Sequence, residues 1–262
     1  MLRDLHKSRY YREGSMSLIS GLLSMTGQYY KAPEIRALRR FLQELQIDCV
    51  FDVGANSGQY AKMLRRWVGY KGLIISFEPH PDLIEPLSTA SKNDPLWHIE
   101  PIALSTVTGT IPIYLTADTQ FSSAEKPLSD VDPAFSKNVR IEKTFNAQSE
   151  TLDVAYERLR QRFEFSRPFL KMDTQGHDLA IFRSGSSVTR NFIGIQSELT
   201  FQPFYQDIPL FIESLETYKH DGFLPNSIFL NTRGHFPLLR EMDCILVNTR
   251  AVSADASRPN SG

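Results

Sequence analysis

The sequence predicts an α/β protein built on one doubly wound sheet. Three observations carry this. Short apolar runs alternate with stretches of helical spacing, β-α-β-α-β and then further β-α, the order of parallel strands joined by crossovers. The run Ile47 to Val53 ends on the glycine loop Asp52-Val-Gly54-Ala-Asn56-Ser-Gly58, and Tyr60-Ala-Lys-Met-Leu-Arg-Arg-Trp67 follows with helical spacing. Strand, glycine loop, helix opens a nucleotide-type site beyond the carboxyl ends of the strands. A terminal pair of strand-like runs implies one late antiparallel strand.

The chain has 262 residues, enough for one large domain or two small ones. We divide it into an N-terminal helical extension (1–46), a main domain (47–250) and a flexible tail (251–262). Leu18, Ile19, Leu22 and Leu23 repeat at helical spacing, as do Ile35, Leu38, Leu42 and Leu45. Pro33 sits where the second of these helices begins. Both helices are expected to cover the sheet edge or the mouth of the site.

Strand one is Cys49–Val53 and its helix is about Gln59–Val68. Strand two is Leu73–Phe77, delivering Glu78. A helix follows over about Asp82–Ser91, and Asn93-Asp-Pro95 ends it. Strand three is Trp97–Ile102. Thr110–Leu115 alternates and reads as an extra strand. Residues 116–148 are polar, broken by Pro127 and Pro133, and read as a long loop with part of it over the site. Thr151 or Asp153 caps a helix over about Val154–Phe163. Strand four is Pro168–Asp173. Strand five is Ile193–Ser197, delivering Glu198. Pro209–His220 is helical with Gly222 closing it. Ser227–Asn231 and Asp243–Asn248 form the closing pair, and the tail frays from Ala251.

Composition sets outer bounds. Hydrophobic residues make up 41% and charged residues 23%, with a formal net charge of -1. That balance gives nucleic acid no global attraction, so no nucleic-acid partner is expected. Arg158, Arg160 and Arg162 read as a solvated helix face. Cys49 and Cys244 fall in apolar runs and read as buried thiols, which fits a reducing, cytoplasmic location. No run is long enough to span a bilayer. Met16–Met25 reads as an amphipathic helix rather than a signal peptide. A homo-oligomer is left open.

The glycine loop reads D-x-G-x-N-x-G. It lacks the G-x-G-x-x-G that cradles a dinucleotide pyrophosphate and the Walker G-x-x-x-x-G-K-[ST]. An acid opening the loop needs a cation. S-adenosylmethionine has an ammonium group and no phosphate. Glu78 lies where an acid takes a ribose diol. Asp52, Gly54, Gly58 and Glu78 together favour S-adenosylmethionine over a nicotinamide cofactor.

Several stretches resemble the FkbM family of S-adenosylmethionine-dependent methyltransferases. They are Val50-Phe-Asp-Val-Gly-Ala-Asn-Ser-Gly58, Phe77-Glu-Pro79, Ala103-Leu-Ser105, Gly109-Thr110, Ser122-Ser123, Thr151-Leu-Asp153 and Leu170-Lys-Met-Asp-Thr-Gln-Gly-His-Asp178. Gln175 departs from the Glu that family commonly carries. The resemblance implies a class I methyltransferase fold, Rossmann-like and three-layered α/β/α. Its seven-stranded sheet runs 3-2-1-4-5-7-6 with strand seven antiparallel. It also implies methyl transfer to a hydroxyl, often on a sugar or secondary metabolite. The expected cofactor wall is Asp52, Gly54, Ala55, Asn56, Ser57, Gly58, Tyr60, Glu78, Pro79, Ala103, Leu104, Ser105 and Asp173.

Methyl transfer is a positioning task that also removes a proton from the acceptor. Asp173, ending strand four, is the first candidate to position or deprotonate the acceptor. His177 is the second candidate base; a helix N-terminus disfavours its imidazolium. Alternation puts Lys171 on the face of Asp173, where it pairs with a carboxylate in a structural or catalytic role. Asp173 and Glu198 end adjacent strands, and Mg2+ between them is a weaker reading. No Asp/Asn-Pro-Pro-Tyr/Phe signature follows strand four, which points away from base N-methylation. Tyr29, Tyr30, Phe121 and Phe204 are candidate walls of an acceptor pocket. The competing readings are a nicotinamide-dependent oxidoreductase, a non-catalytic cofactor-binding protein of the same fold, and a protein or RNA methyltransferase.

Overall fold

The computed structural model describes residues 31–117, 122–128, 140–230 and 238–256. The expected helix around Leu18–Leu23 and the candidate walls Tyr29, Tyr30 and Phe121 lie outside the described residues, as does the end of the tail.

Seven strands form the main sheet: β1 (Cys49–Val53), β2 (Leu73–Phe77), β3 (Trp97–Glu100), β7 (Pro168–Met172), β8 (Gly194–Thr200), β9 (Phe223–Phe229) and β10 (Glu241–Asn248). Their order is β3-β2-β1-β7-β8-β10-β9. The pairs β1–β2, β2–β3, β1–β7 and β7–β8 are parallel; β10 runs antiparallel to β8 and β9. This is the doubly wound class I order expected from the resemblance. β1, β2 and β7 are buried at every position. Parallel strands covered on both faces need such largely apolar runs, broken here only by Asp52, Ser76 and Lys171, which is why the sequence shows them so plainly.

Helices cover both faces. On one, α1 (Ala32–Glu44), α2 (Gln59–Met63) and α3 (Pro81–Ser91) pack against the sheet. There Ile35, Leu38, Phe41 and Leu42 meet Val50, Ile74, Phe169 and Ile245. A π-helical turn, Leu64–Val68, continues α2. On the other face, α4 (Leu152–Arg162), α5 (Asp178–Ser184) and α6 (Phe211–His220) bury Tyr156, Leu159, Phe182 and Tyr218 against Phe51, Ile75 and Leu170. Phe51 contacts Phe165 and Phe192 edge-on at 5.6 and 5.4 Å. α1, read as part of an extension, thus supplies five of the eighteen buried residues of one core face. Among the described residues no helix is long and apolar enough to cross a membrane.

A second sheet departs from the expected loop. β4 (Ala103–Leu104), β5 (Gly109–Thr116) and β6 (Ile141–Glu150) pair in the order β4-β6-β5. The sequence anticipated β5 alone and read residues 116–148 as loop. β6 carries Glu142, Lys143 and Thr144 in its exposed half, so only its end shows an inward period, at Ala147 and Ser149. Ile111, Ile113 and Ala147 join Ala103 in a small core.

Three boundaries also shift. β3 stops at Glu100, because Ala103–Leu104 joins the second sheet. β8 runs on to Thr200, so Glu198 lies inside the strand, opposite Asp243. The chain beyond Asn248 forms α7 (Thr249–Ala256), where the sequence read a fraying tail from Ala251.

Candidate functional site

A cavity of about 640 Å3 opens beyond the carboxyl ends of β1, β2, β7 and β8, beside the amino end of β10. Its floor is the loop after β1. Gly54 adopts φ +74°, and a Cβ there would sit 2.1 Å from the carbonyl oxygen of Asp173. The Gly54 and Ala55 amides donate to the Phe77 carbonyl at 3.1 and 3.0 Å. Only glycine lets this loop pass beneath the end of β7.

Glu78 is fixed at the end of β2. Its two carboxylate oxygens accept the Asn56 and His80 backbone amides at 2.7 and 2.8 Å. Burial pushes its pKa up, and those two amides oppose the shift. The His80 ring accepts the Asp82 amide and starts α3. Of the expected cofactor wall, Gly54, Ala55, Asn56, Tyr60, Glu78, Pro79, Ala103, Leu104 and Asp173 line the cavity.

Asp52, Ser57, Gly58 and Ser105 are not on that wall. Asp52 is fully buried. Its Oδ1 lies 3.1 Å from Lys171 Nζ, and its Oδ2 accepts the Ser76 hydroxyl at 2.9 Å. The cation that meets the loop's opening acid is therefore Lys171. Gly58 faces the Trp97 ring, the Ser57 carbonyl accepts Lys62 Nζ, and Ser105 is 2% exposed.

Lys171 also donates to the carbonyls of Val53 and Gly54 at 3.3 Å, approaches Asp173 Oδ2 to 3.6 Å and lies 5.1 Å from the centre of the Tyr60 ring. Burial alone would lower its pKa. Asp52 and then Asp173 outweigh that, and the ammonium is held charged. The pairing expected from strand alternation is present, with Asp52 as the nearer acid.

Acids crowd the other end of the cavity. Asp173 is the most open, its side chain 44% exposed. Glu34 from α1 and Glu241 and Asp243 from β10 join Asp173 and Glu198 on the wall. The sequence reading missed these three. They come from elements distant in the chain, and no motif spacing links them. Burial and then Glu241 push the Glu198 pKa well up; burial and then Glu34 do the same to Asp243. Lys31 sits 3.1 Å from Glu34 and 3.9 Å from Asp243.

These raised acids set the pH dependence of stability. A carboxyl with a raised folded pKa stabilises fully below its unfolded value, and loses that contribution as pH rises through the folded value. Folding takes up protons at pH values between the unfolded and the folded pKa of these acids. The melting temperature is expected to rise as pH is lowered from about 8 to about 5.5. A melting temperature that falls steadily across that interval contradicts this.

His177 is engaged at both ring nitrogens. Nε2 lies 3.0 Å from Ser105 Oγ and Nδ1 lies 2.6 Å from Glu125 Oε1. With Nδ1–H donating to Glu125, the ring's one nitrogen lone pair, on Nε2, accepts the serine hydroxyl. His177 lines the cavity and also ties residues 122–128 to the loop after β7. Ser123 Oγ reinforces the tie, 3.2 and 2.8 Å from the carbonyls of Thr174 and Gln175. Ser122 and Ser123 thereby form part of the cavity wall, as the sequence anticipated for this stretch. Phe204 reaches the wall as well.

Mg2+ does not fit between Asp173 and Glu198. Gln175 Nε2 lies 3.3 Å from Asp173 Oδ1 and 3.2 Å from Glu198 Oε2, so an N–H donor fills the gap that a cation would need. Among the described residues no three His, Cys, Asp or Glu side chains are arranged to hold a metal ion. This corrects the expectation of Mg2+ at these two acids.

A family model described as a methyltransferase FkbM domain matches residues 52–225. No curated protein sequence matches the chain. Similar solved structures include Aeropyrum pernix fibrillarin with natively bound S-adenosyl-L-methionine, at 13% identity and TM-score 0.43, covering 76% of this chain and 66% of that one. Magnesium protoporphyrin IX methyltransferase from Synechocystis matches at 8% identity and TM-score 0.45, covering 94% and 89%. An O-methyltransferase from Bacillus cereus in complex with SAH matches at 9% identity and TM-score 0.44, covering 94% of each chain.

Proposed function

The chain belongs to the FkbM methyltransferase family, and on that premise we propose that it moves a methyl group from S-adenosylmethionine to a hydroxyl oxygen of a small molecule or sugar. The observation that carries the cofactor assignment is Glu78, an acid pinned by two backbone amides on the cavity wall. A carboxylate so held accepts the two hydroxyls of a ribose. The Gly54–Asn56 backbone takes the amino-acid end, and Ile102, Ala103 and Leu104 give the base an apolar face. The loop offers a pyrophosphate no glycine cradle. Family membership and this loop together set aside the nicotinamide reading.

The cofactor supplies a methyl group on a positively charged sulfur. The protein's part is alignment and proton removal. Asp173 is the group we assign to the acceptor, because its carboxylate is the most open acid in the cavity. As the new C–O bond forms and the C–S bond breaks, the hydroxyl proton passes to Asp173. The neighbouring acids accept further hydrogen bonds, which suits a polyol. Buried free thiols at Cys49 and Cys244 support a cytoplasmic location.

The test uses labelled cofactor and a panel of hydroxylated acceptors. Once an acceptor is found, Asp173→Asn is expected to slow transfer at least ~100-fold while leaving S-adenosylhomocysteine binding intact. Loss of that binding instead would put Asp173 on the cofactor's amine and overturn its assignment to the acceptor.

A further inference from the structure

Gln175 is held in an unusual way. Its backbone takes the left-handed conformation, with φ +55°, and Gly176 follows at φ +91°. A left-handed non-glycine residue persists where its surroundings over-determine it. Here the surroundings are three side chains. Nε2 bridges Asp173 and Glu198, and the buried Tyr205 hydroxyl donates to Oε1 at 3.1 Å. A flipped amide would aim its oxygen at two carboxyl groups, so the orientation is fixed.

We propose that the Gln175 amide occupies the place of a divalent cation between Asp173 and Glu198, making Gln175 a positioning residue that orders the two acids by hydrogen bonding and closes the pair to metal. A hard cation takes oxygen ligands, and here the inserted group presents N–H. The only side-chain oxygen of Gln175 is turned to Tyr205. The other oxygen of Asp173 already faces the Lys171 ammonium at 3.6 Å. An acid at position 175 removes the donor, adds a third carboxylate and creates an oxygen-lined gap.

The meaning of this arrangement for catalysis rests on the methyl-transfer reading, but the cation claim is tested without turnover. Mn2+ binding is measured by the loss of its free-ion EPR signal, on the full chain, for wild type, Gln175→Glu, Gln175→Ala and the double variant Gln175→Glu/Asp173→Asn. Wild type is expected to leave millimolar Mn2+ free. Gln175→Glu is expected to bind at least tenfold more tightly, and the double variant to lose that gain. Gln175→Ala removes the donor without adding charge, so it keeps the test alive if Gln175→Glu fails to fold; it is expected to bind more tightly than wild type, though less than Gln175→Glu. Two results overturn the proposal. One is wild type binding Mn2+ as tightly as Gln175→Glu. The other is no gain over wild type in whichever of the two single variants folds. S-adenosylhomocysteine binding on the same samples separates the readings: its absence would sink the proposed function and leave the Mn2+ result standing.

Discussion

Replacing Lys171 with Met is expected to destabilise the fold by about 3–5 kcal/mol, the cost of stranding one half of a buried ion pair. Asp52 has no exposure to water and meets Lys171 at 3.1 Å. Met keeps much of the volume and removes the charge, leaving a carboxylate inside the sheet with the Ser76 hydroxyl as its remaining hydrogen-bond donor. In a chain of this size the melting temperature should fall by more than about 6 °C. The double variant Asp52→Asn/Lys171→Met removes both charges and should recover more than half of the loss. Because the Lys171 pKa is raised, its contribution is fully present below the ordinary lysine value and lost only as pH rises beyond it. Neutral-pH melts therefore read it in full. A single variant as stable as wild type would show that Asp52 and Lys171 do not depend on each other.

Gly54→Ala is the second large effect. The left-handed conformation alone costs an alanine about 1–2 kcal/mol. The added Cβ also lands 2.1 Å from the Asp173 carbonyl oxygen, so β1 and β7 must part or the loop must lift. Either movement displaces the Asn56 amide that holds Glu78. A fall in melting temperature of more than about 4 °C is expected, together with loss of S-adenosylhomocysteine binding. Differential scanning calorimetry with and without that ligand checks both. An unchanged ligand-induced shift in Gly54→Ala would contradict the account of the loop.

The sequence made some of this legible and hid the rest for physical reasons. β1 and β2 match their predicted bounds to the residue, because parallel strands buried on both faces leave largely apolar runs between turn residues. β6 stayed hidden because its first half is exposed and charged, which reads like loop. The position of Glu78 was legible because it depends on local order: strand end, then acid. Asp52 was read as an acid awaiting a ligand's cation, since the partner, Lys171, lies 119 residues further on in a neighbouring strand. Lys171 was seen beside Asp173 by alternation; the order implied by the resemblance sets strand four beside strand one, but not the register that puts Lys171 opposite Asp52. His177 looked like a base because its residue type and helix-start position allow that. Its two partners, Ser105 and Glu125, come from separate segments, so the sequence could not show that it also joins them. The acids Glu34, Glu241 and Asp243 reach the cavity only through the packing of α1 and the antiparallel return of β10.

At the centre stands the reading of a phosphate-free nucleoside held by the glycine loop and Glu78. Isothermal titration of the full chain with S-adenosylhomocysteine, and separately with NAD, tests it most directly. One site for S-adenosylhomocysteine is expected, weakened at least ~10-fold by Glu78→Gln, with no heat from NAD. No binding of S-adenosylhomocysteine, or a Glu78→Gln variant that binds it as tightly as wild type, would contradict it.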